Sequence, residues 1–249
     1  MKVFPGCIKI VLLPIYYLFH KNIFFGLIQK YIIKKFYYKN LKLEIPIKLL
    51  PTSNYSSFFF KTYEYNDRKL IERNVSKINK CIIIGAGIGF IPCLTYSKSK
   101  NKILVFEIDK RIKKDLLRNL RENKCIFDFY DKNLVLEKNK KNDFFYFDNN
   151  FLNNSKYRIT DKKIKISNIF SKKIKEFQDY NTIIIDAEGI EEYFIKNIKY
   201  LKKIKYLFFE LHYDLFNRKK ITNLKKILEK NKFKLLDQCF NSSYYKKII

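Results

Sequence analysis

A glycine-rich turn between two short apolar segments constrains this chain more than any other feature. Residues 81–84 predict a buried strand, Gly85 to Gly89 (GAGIG) follow at once, and residues 103–106 predict a second strand that ends on Glu107. Glycines let the backbone turn sharply and approach a ligand closely. An acid at the end of the second strand can accept hydrogen bonds from both hydroxyls of a ribose. This order predicts a nucleotide-binding α/β unit.

The spacing of the glycines separates the classes of nucleotide-binding turn. Dinucleotide-binding units follow GxGxxG or GxGxxA, whereas this chain has GxGxG and carries Phe90 at the third small position. No Lys-Ser or Lys-Thr pair stands directly after the glycines, which excludes a P-loop. GxGxG after a first strand resembles motif I of the methyltransferases that use S-adenosylmethionine (SAM).

Apolar strands and amphipathic helices alternate along the rest of the chain, which predicts a mostly parallel sheet with helices on both faces. The predicted strands are 57–65, 81–84, 103–106, 125–130, 182–185, 205–211, 233–239 and 244–249, with a meander of short strands in 134–166. The predicted helices are 67–79, 110–123, 168–177, 192–203 and 218–230, and residues 43–51 read as a linker. Ligands on such sheets bind beyond the carboxyl ends of the strands.

Four further segments, taken in chain order, resemble the FkbM family of methyltransferases. They are TYEYNDRKLIERN, VFEIDKR, IIIDAEGIEEYFI and FFELH, and the resemblance covers about residues 55 to 240. The D-x-E-G-x-E element is met by Asp186, Glu188, Gly189 and Glu191. The resemblance implies a seven-stranded Rossmann-like sheet whose last strand is antiparallel. It also implies SAM as cofactor and O-methylation, with a small molecule or a glycan as the acceptor.

The site residues follow from the glycine turn, the strand ends and the resemblance. Glu107 is expected to hold the ribose, and the glycines are expected to approach the methionine part of the cofactor. The resemblance places Tyr63 and Glu64 at the amino-acid end of SAM. The expected cofactor-binding residues are Tyr63, Glu64, Gly85, Ala86, Gly87, Gly89, Glu107, Ile108 and Asp186.

A neutral alcohol is a weak nucleophile, so its proton should pass to a base as the new bond forms. Asp186 and Glu188 follow the fourth core strand, and His212 follows the fifth. The sequence leaves open which of the three is the base. Glu210 shares a strand face with His212 and is placed to orient it. No cluster of His, Cys and carboxylates has metal-ligand spacing in the sequence, so we predict no metal.

The formal net charge of +28 raises an alternative, a nucleic-acid-binding protein or a nucleic-acid methyltransferase. Lysines are scattered along the whole chain, and only seven basic residues are Arg, the residue preferred for bidentate phosphate contacts. The chain is also rich in Lys, Asn, Ile, Phe and Tyr, which AT-rich codons encode. Nucleic acid is therefore disfavoured as a partner, and the sequence says nothing of the oligomeric state.

Residues 1–50 differ from the predicted methyltransferase domain, residues 51–249, in being strongly apolar, aromatic and basic. Within residues 1–50 the longest stretch free of charge and His is residues 10–19, whereas a membrane-spanning helix needs about 20 apolar residues. No signal-peptide cleavage site follows. Two readings stay open: helices that pack on the main domain, and peripheral contact of residues 1–40 with a membrane. Five cysteines without a CxxC pair favour a reducing compartment, the cytoplasm.

Overall fold

The computed structural model describes residues 22–46, 48–137, 141–153, 156, 162–187, 189–211 and 216–248. The strands in this part of the chain are β1 (Lys35–Tyr38), β2 (Leu41–Glu44), β3 (Cys81–Ile84), β4 (Ile103–Phe106), β5 (Phe127–Tyr130), β6 (Asn133–Val135), β7 (Asn142–Phe147), β8 (Lys162–Phe170), β9 (Thr182–Ile185), β10 (Tyr206–Glu210), β11 (Phe233–Cys239) and β12 (Ser242–Lys247). The α-helices are α1 (Ile23–Leu27), α2 (Tyr55–Phe59), α3 (Tyr65–Asn74), α4 (Phe90–Ser99), α5 (Lys113–Glu122), α6 (Glu191–Lys196) and α7 (Arg218–Lys230).

Seven strands form one sheet in the order β11-β12-β10-β9-β3-β4-β5. The pairs β10–β9, β9–β3, β3–β4 and β4–β5 are parallel, and β12 runs antiparallel to both of its neighbours. This is the Rossmann-like methyltransferase fold, and it confirms the expected seven-stranded, mostly parallel sheet with an antiparallel last strand. Two smaller sheets, β1-β2 and β6-β8-β7, lie beside it, and the second confirms a strand-rich region within 134–166.

The central strands are apolar throughout because both faces of the sheet are covered. In β3, Ile82 and Ile84 belong to one core, which includes side chains of α6 and α7. Cys81 and Ile83 belong to the other core, which includes side chains of α3, α4 and α5. Side chains alternate between the two faces of a strand, so one short run such as CIII contributes to both cores. Helices on both faces were expected, and this division confirms them.

The hairpin β1–β2 lies directly against the main domain. Asn119 of α5 is fully buried; its Oδ1 accepts the N–H of Glu44 at 2.8 Å, and its Nδ2 donates to the carbonyls of Glu44 and Ile88 at 3.0 and 2.8 Å. Phe36 of β1 meets Phe90 edge-on, with ring centroids 5.0 Å apart. The residue that departs from the dinucleotide pattern therefore anchors this hairpin.

Two predicted elements are wrong, and residues 43–51 are only partly a linker because β2 extends to Glu44. Residues 57–65 are not a strand: α2 ends at Phe59 and a turn follows, because Phe58 packs into the core from a helix while Phe59 and Phe60 contact Phe25. Residues 168–177 are not a helix, because β8 continues to Phe170 in register with β6. Core packing overrode the local pattern in the first place, and strand pairing did so in the second. None of the helices in the described residues is long and apolar enough to cross a membrane.

Candidate functional site

A cleft opens beyond the carboxyl ends of β3, β4 and β9, where ligands bind to open parallel sheets. It holds about 840 Å³ of empty space, counting the part open to solvent. Its wall combines the glycine turn, the residues after β4 and β9, and the turn before α3. Seven of the nine expected cofactor-binding residues line it: Tyr63, Glu64, Gly85, Gly87, Glu107, Ile108 and Asp186.

The glycines of the turn have different tasks. At Gly85 (φ 82°), a Cβ would lie 1.8 Å from the backbone oxygen of Asp186, so this glycine permits the close passage of two backbone segments. At Gly87 (φ 52°), a Cβ would lie 3.4 Å from the Tyr63 hydroxyl and 3.6 Å from Glu64 Oε1, inside the cleft. Ala86 is buried, and Gly89 caps α4; neither lines the cleft. Gly87 is therefore the glycine that leaves ligand space beside polar groups.

Glu107 is tied to the backbone around it. Its Oε2 accepts the N–H of Gly87 at 2.9 Å, and its Oε1 accepts the N–H of Asp109 at 2.8 Å. A carboxylate oxygen has two lone pairs, so each oxygen retains capacity for a ligand hydroxyl. Burial raises the pKa of Glu107 from 4.5 to about 7, and the two backbone donors lower it in part. Arg111 Nη2 forms an ion pair with Asp109 Oδ2 at 2.7 Å. This pair stabilises the turn whose Asp109 N–H donates to Glu107.

Tyr63 and Glu64 present buried polar atoms to the same cleft. Among the described residues, the Tyr63 hydroxyl and Glu64 Oε2 have no hydrogen-bond partner of good geometry, although the two side chains adjoin each other. Burial, followed by the Asp186 carboxylate, raises the pKa of Glu64 from 4.5 to about 8. Glu64 has φ 47° and ψ 39°, a left-handed conformation that costs free energy in a non-glycine residue. Buried orphan groups and backbone strain at one position are the features of a ligand site.

The loop after β9 joins the acidic element to the cleft. Asp186 lines the cleft, and its N–H donates to the carbonyl of Ile84 at 3.0 Å. Glu191 is fully buried and accepts the N–H of Gly189 at 2.8 Å and of Ala187 at 3.3 Å. The last acid of D-x-E-G-x-E therefore shapes the loop, whereas the first one faces the ligand space. Glu188 and His212, two of the three expected bases, lie outside the described residues.

Sequence reasoning missed part of the site. The remaining wall of the cleft comes mostly from the small second sheet and the turns around it: Lys132, Asn133, Leu134, Phe145, Phe151 and Leu152. Asp67 of α3 was also missed, and it is 5% exposed. One signal could have shown it: Asp67 precedes Leu70 and Ile71 by three and four positions, so a carboxylate falls on the apolar face of α3.

Asp67 lies against two other acids at the carboxyl end of the sheet. Asp67, Asp186 and Glu210 each offer a carboxylate oxygen, and these oxygens all lie within 4.8 Å of one another. Burial first, and then the carboxylates of Asp186 and Glu210, raise the pKa of Asp67 well above 3.8. Like charges this close oppose each other's ionisation, so the cluster favours a proton or a cation between its members.

The residues of the cleft fit a SAM-type cofactor. Glu107 offers acceptors for a ribose diol. Tyr63 and Glu64 offer an unpaired hydroxyl and an unpaired carboxylate oxygen for an amino-acid end. Gly87 leaves the space between them. The acid-rich wall also suits a cationic ligand, because carboxylates with raised pKa values ionise more readily beside a positive charge.

No protein-family model matches the chain, and no curated protein sequence does. Solved structures with a similar arrangement include TYW2 of P. horikoshii in complex with MeSAdo, at 13% identity over 85% of this chain and 68% of that one, TM-score 0.48. TYW2 of M. jannaschii in complex with AdoMet is 12% identical over 86% of both chains, TM-score 0.48. The M. jannaschii tRNA m1G37 methyltransferase is 12% identical over 86% of this chain and 56% of that one, TM-score 0.45. At these identities the likeness is one of fold alone.

Proposed function

We propose that this protein is a methyltransferase of the FkbM type, which uses SAM as its methyl donor and a hydroxyl oxygen of a sugar or glycan as its acceptor. One observation carries the proposal: Glu107 accepts the N–H of Gly87, and both face a cleft whose other wall holds the unpaired polar atoms of Tyr63 and Glu64. Glu107 is then available for the ribose of SAM, and Tyr63 and Glu64 are available for its amino-acid end.

The chain's own residues provide binding and orientation. Glu107 holds the ribose hydroxyls, and its backbone ties to Gly87 keep the carboxylate in place. Glu64 accepts hydrogen bonds from the donor's ammonium group, and Tyr63 adds its hydroxyl. SAM supplies an activated methyl group on a sulfonium. Positioning of acceptor oxygen, methyl carbon and sulfur in line is then the main source of rate acceleration.

An oxygen acceptor fits the acid-rich wall. The hydroxyl oxygen attacks the methyl carbon, the carbon–sulfur bond breaks with its electron pair going to sulfur, and the hydroxyl proton passes to a base. Asp186 is the candidate base that lines the cleft. Asp186 and Ala187 occupy the place where methyltransferases acting on base amino groups carry an NPPY-type element, which this chain lacks.

Cofactor binding and acceptor class need separate tests. Isothermal titration of the full-length protein with SAM should show one site per chain, and Glu107→Ala should abolish it. Asp128→Ala is a matched control, because the Asp128 side chain on β5 is 41% exposed and pairs with Lys102. The absence of binding at millimolar SAM would refute the proposal. A panel of glycans and amines should then be incubated with methyl-labelled SAM. Transfer of the label to glycan hydroxyls, and not to amines, supports a hydroxyl oxygen as the acceptor.

A nucleic-acid acceptor is the second candidate, which the net charge of +28 favours. It predicts binding to single-stranded RNA that weakens steeply between about 50 and 200 mM salt. If RNA stimulates the release of S-adenosylhomocysteine more than glycans do, the acceptor is a nucleic acid and not a sugar.

We propose further that residues 1–40 hold the enzyme at an anionic membrane surface in the cytoplasm. Ile23, Phe24, Tyr31 and Ile32 on α1 and the turn that continues it are each at least 59% exposed, and Lys30 lies among them. Apolar side chains beside lysines suit a membrane surface. Ile32→Asp should reduce co-sedimentation with anionic liposomes, whereas Ile78→Asp, at a lone residue that is 64% exposed, should not. Equal binding of both variants would contradict this proposal.

A further inference from the structure

The acid cluster at the carboxyl end of the sheet combines residues from three distant parts of the chain. Asp67 comes from α3, Asp186 follows β9, and Glu210 ends β10. Their nearest carboxylate oxygens lie within 4.8 Å of one another. Oxygens on opposite sides of a bound Ca²⁺ lie about 4.6–5.2 Å apart, and those around Mg²⁺ lie about 4 Å apart. The separation of the three carboxylate oxygens therefore matches a hard divalent cation. Small shifts of the side chains would adapt the site from one metal to another.

A fourth polar group points into the same cluster. Ser242 lies opposite Glu210 in the antiparallel pair β10–β12, so the two side chains lie on the same face of the sheet, the face that α3 covers. Ser242 is 0% exposed, and its hydroxyl has no hydrogen-bond partner among the residues that the structure describes. It nevertheless lies beside the Asp67 carboxyl. A buried unpaired hydroxyl beside three carboxylates indicates a missing ligand, because such groups are nearly always satisfied.

The groups around Asp67 are oxygen donors: Asp186, Glu210, Ser242 and Glu64. Carboxylate and hydroxyl oxygens are the ligands that Mg²⁺, Mn²⁺ and Ca²⁺ prefer.

We propose that Asp67, Asp186 and Glu210 bind a divalent cation of the Mg²⁺, Mn²⁺ or Ca²⁺ class, with the Ser242 hydroxyl as a further oxygen donor. The spacing of acids in the sequence predicts no metal, because these ligands are separated by 119 and 24 positions and meet only through the fold. Asp186 also lines the cofactor cleft, so the cation lies beside the donor.

One consequence rests on the proposed function. A cation bound at Asp186 can also coordinate the acceptor's hydroxyl oxygen, orient it toward the methyl carbon and lower its pKa. The hydroxyl proton then passes to solvent water, and Asp186 acts as a cation ligand in place of a base. Sugars with two adjacent hydroxyls would be the preferred acceptors, because two oxygens can chelate one cation.

The binding test uses the full-length protein and Mn²⁺ alone, followed by electron paramagnetic resonance of free Mn²⁺. We expect one saturable site per chain with a dissociation constant below about 1 mM. Asp67→Asn should weaken binding by about tenfold or more, since even residues that only orient a ligand contribute that much. Asp128→Asn on β5 is the matched control and should bind Mn²⁺ as the wild type does.

The opposite results are equally clear. The proposal is overturned by the absence of saturable Mn²⁺ binding up to about 10 mM, ten times the weakest affinity expected. It is also overturned if Asp67→Asn binds Mn²⁺ as tightly as the wild type does. If no Mn²⁺ binds at all, protons alone hold the three carboxylates together. Asn matches Asp in size, so Asp67→Asn should fold. If it does not fold, Ser242→Ala and Glu210→Gln repeat the binding test. SAM titration in EDTA separates the two proposals, because cofactor binding can fail while Mn²⁺ binding persists.

Discussion

Glu64→Gln is the substitution that separates ligand binding from folding most directly. In the unfolded chain the Glu64 carboxyl loses its proton near pH 4.5, whereas in the folded protein burial holds its pKa at about 8. Between these values unfolding releases a proton, so the wild type loses stability as the pH rises from about 5 to 8. At 1.36 kcal/mol per pKa unit, the upper limit of this loss is about 5 kcal/mol. Partial exposure of Glu64 reduces the expected effect to about 2–4 kcal/mol.

Urea unfolding at pH 5.5 and pH 8 measures this effect. Glu64→Gln carries no titrating group, so the variant should gain about 2–4 kcal/mol relative to the wild type at pH 8 but only about 1 kcal/mol at pH 5.5, which is one unit above the unfolded-state pKa of 4.5. The same variant should bind SAM about tenfold more weakly, a loss of 1.4 kcal/mol, because an amide does not attract an ammonium group. Glu176→Gln, with a 48% exposed carboxylate paired to Lys102, is the control and should change neither quantity. Parallel loss of stability in the wild type and in Glu64→Gln would refute the reasoning.

Four other substitutions test the site and its support. Gly85→Ala places a Cβ within 1.8 Å of a backbone oxygen and should cost more than about 3 kcal/mol of stability in urea unfolding. In Gly87→Ala the nearest contact of the new Cβ is 3.4 Å away, so this variant should lose only about 1–2 kcal/mol of stability. It should nevertheless abolish the thermal shift with SAM. The raised pKa of Glu107 predicts that SAM affinity rises about tenfold from pH 6 to 8, measured by titration, and Glu107→Gln should flatten this profile. Asn119→Ala removes two of the bonds that hold the β1–β2 hairpin and should destabilise the protein by about 2–3 kcal/mol, with faster hydrogen exchange in that hairpin. Unchanged exchange would contradict this role.

Much of the fold follows from local pattern. Runs such as CIII, ILVF and TIII predict buried strands because a strand covered on both faces has no polar positions. The glycine turn predicts a ligand cleft because its residues are neighbours in the chain. The wrong elements, at 57–65 and 168–177, are places where aromatic and apolar residues suit either a helix or a strand, and packing decides between them.

The site divides in the same way. The sequence alone predicts one wall of the cleft, because the glycine turn, Glu107 and Asp186 stand at the ends of recognisable strands. Only the tertiary structure shows that Gly87 faces Tyr63 and Glu64 while Gly85 packs against a neighbouring backbone. It alone joins Asp67, Glu210 and Ser242 beside Asp186. These groups are separated by up to 175 positions, and only the order and register of the strands bring them within reach of one another.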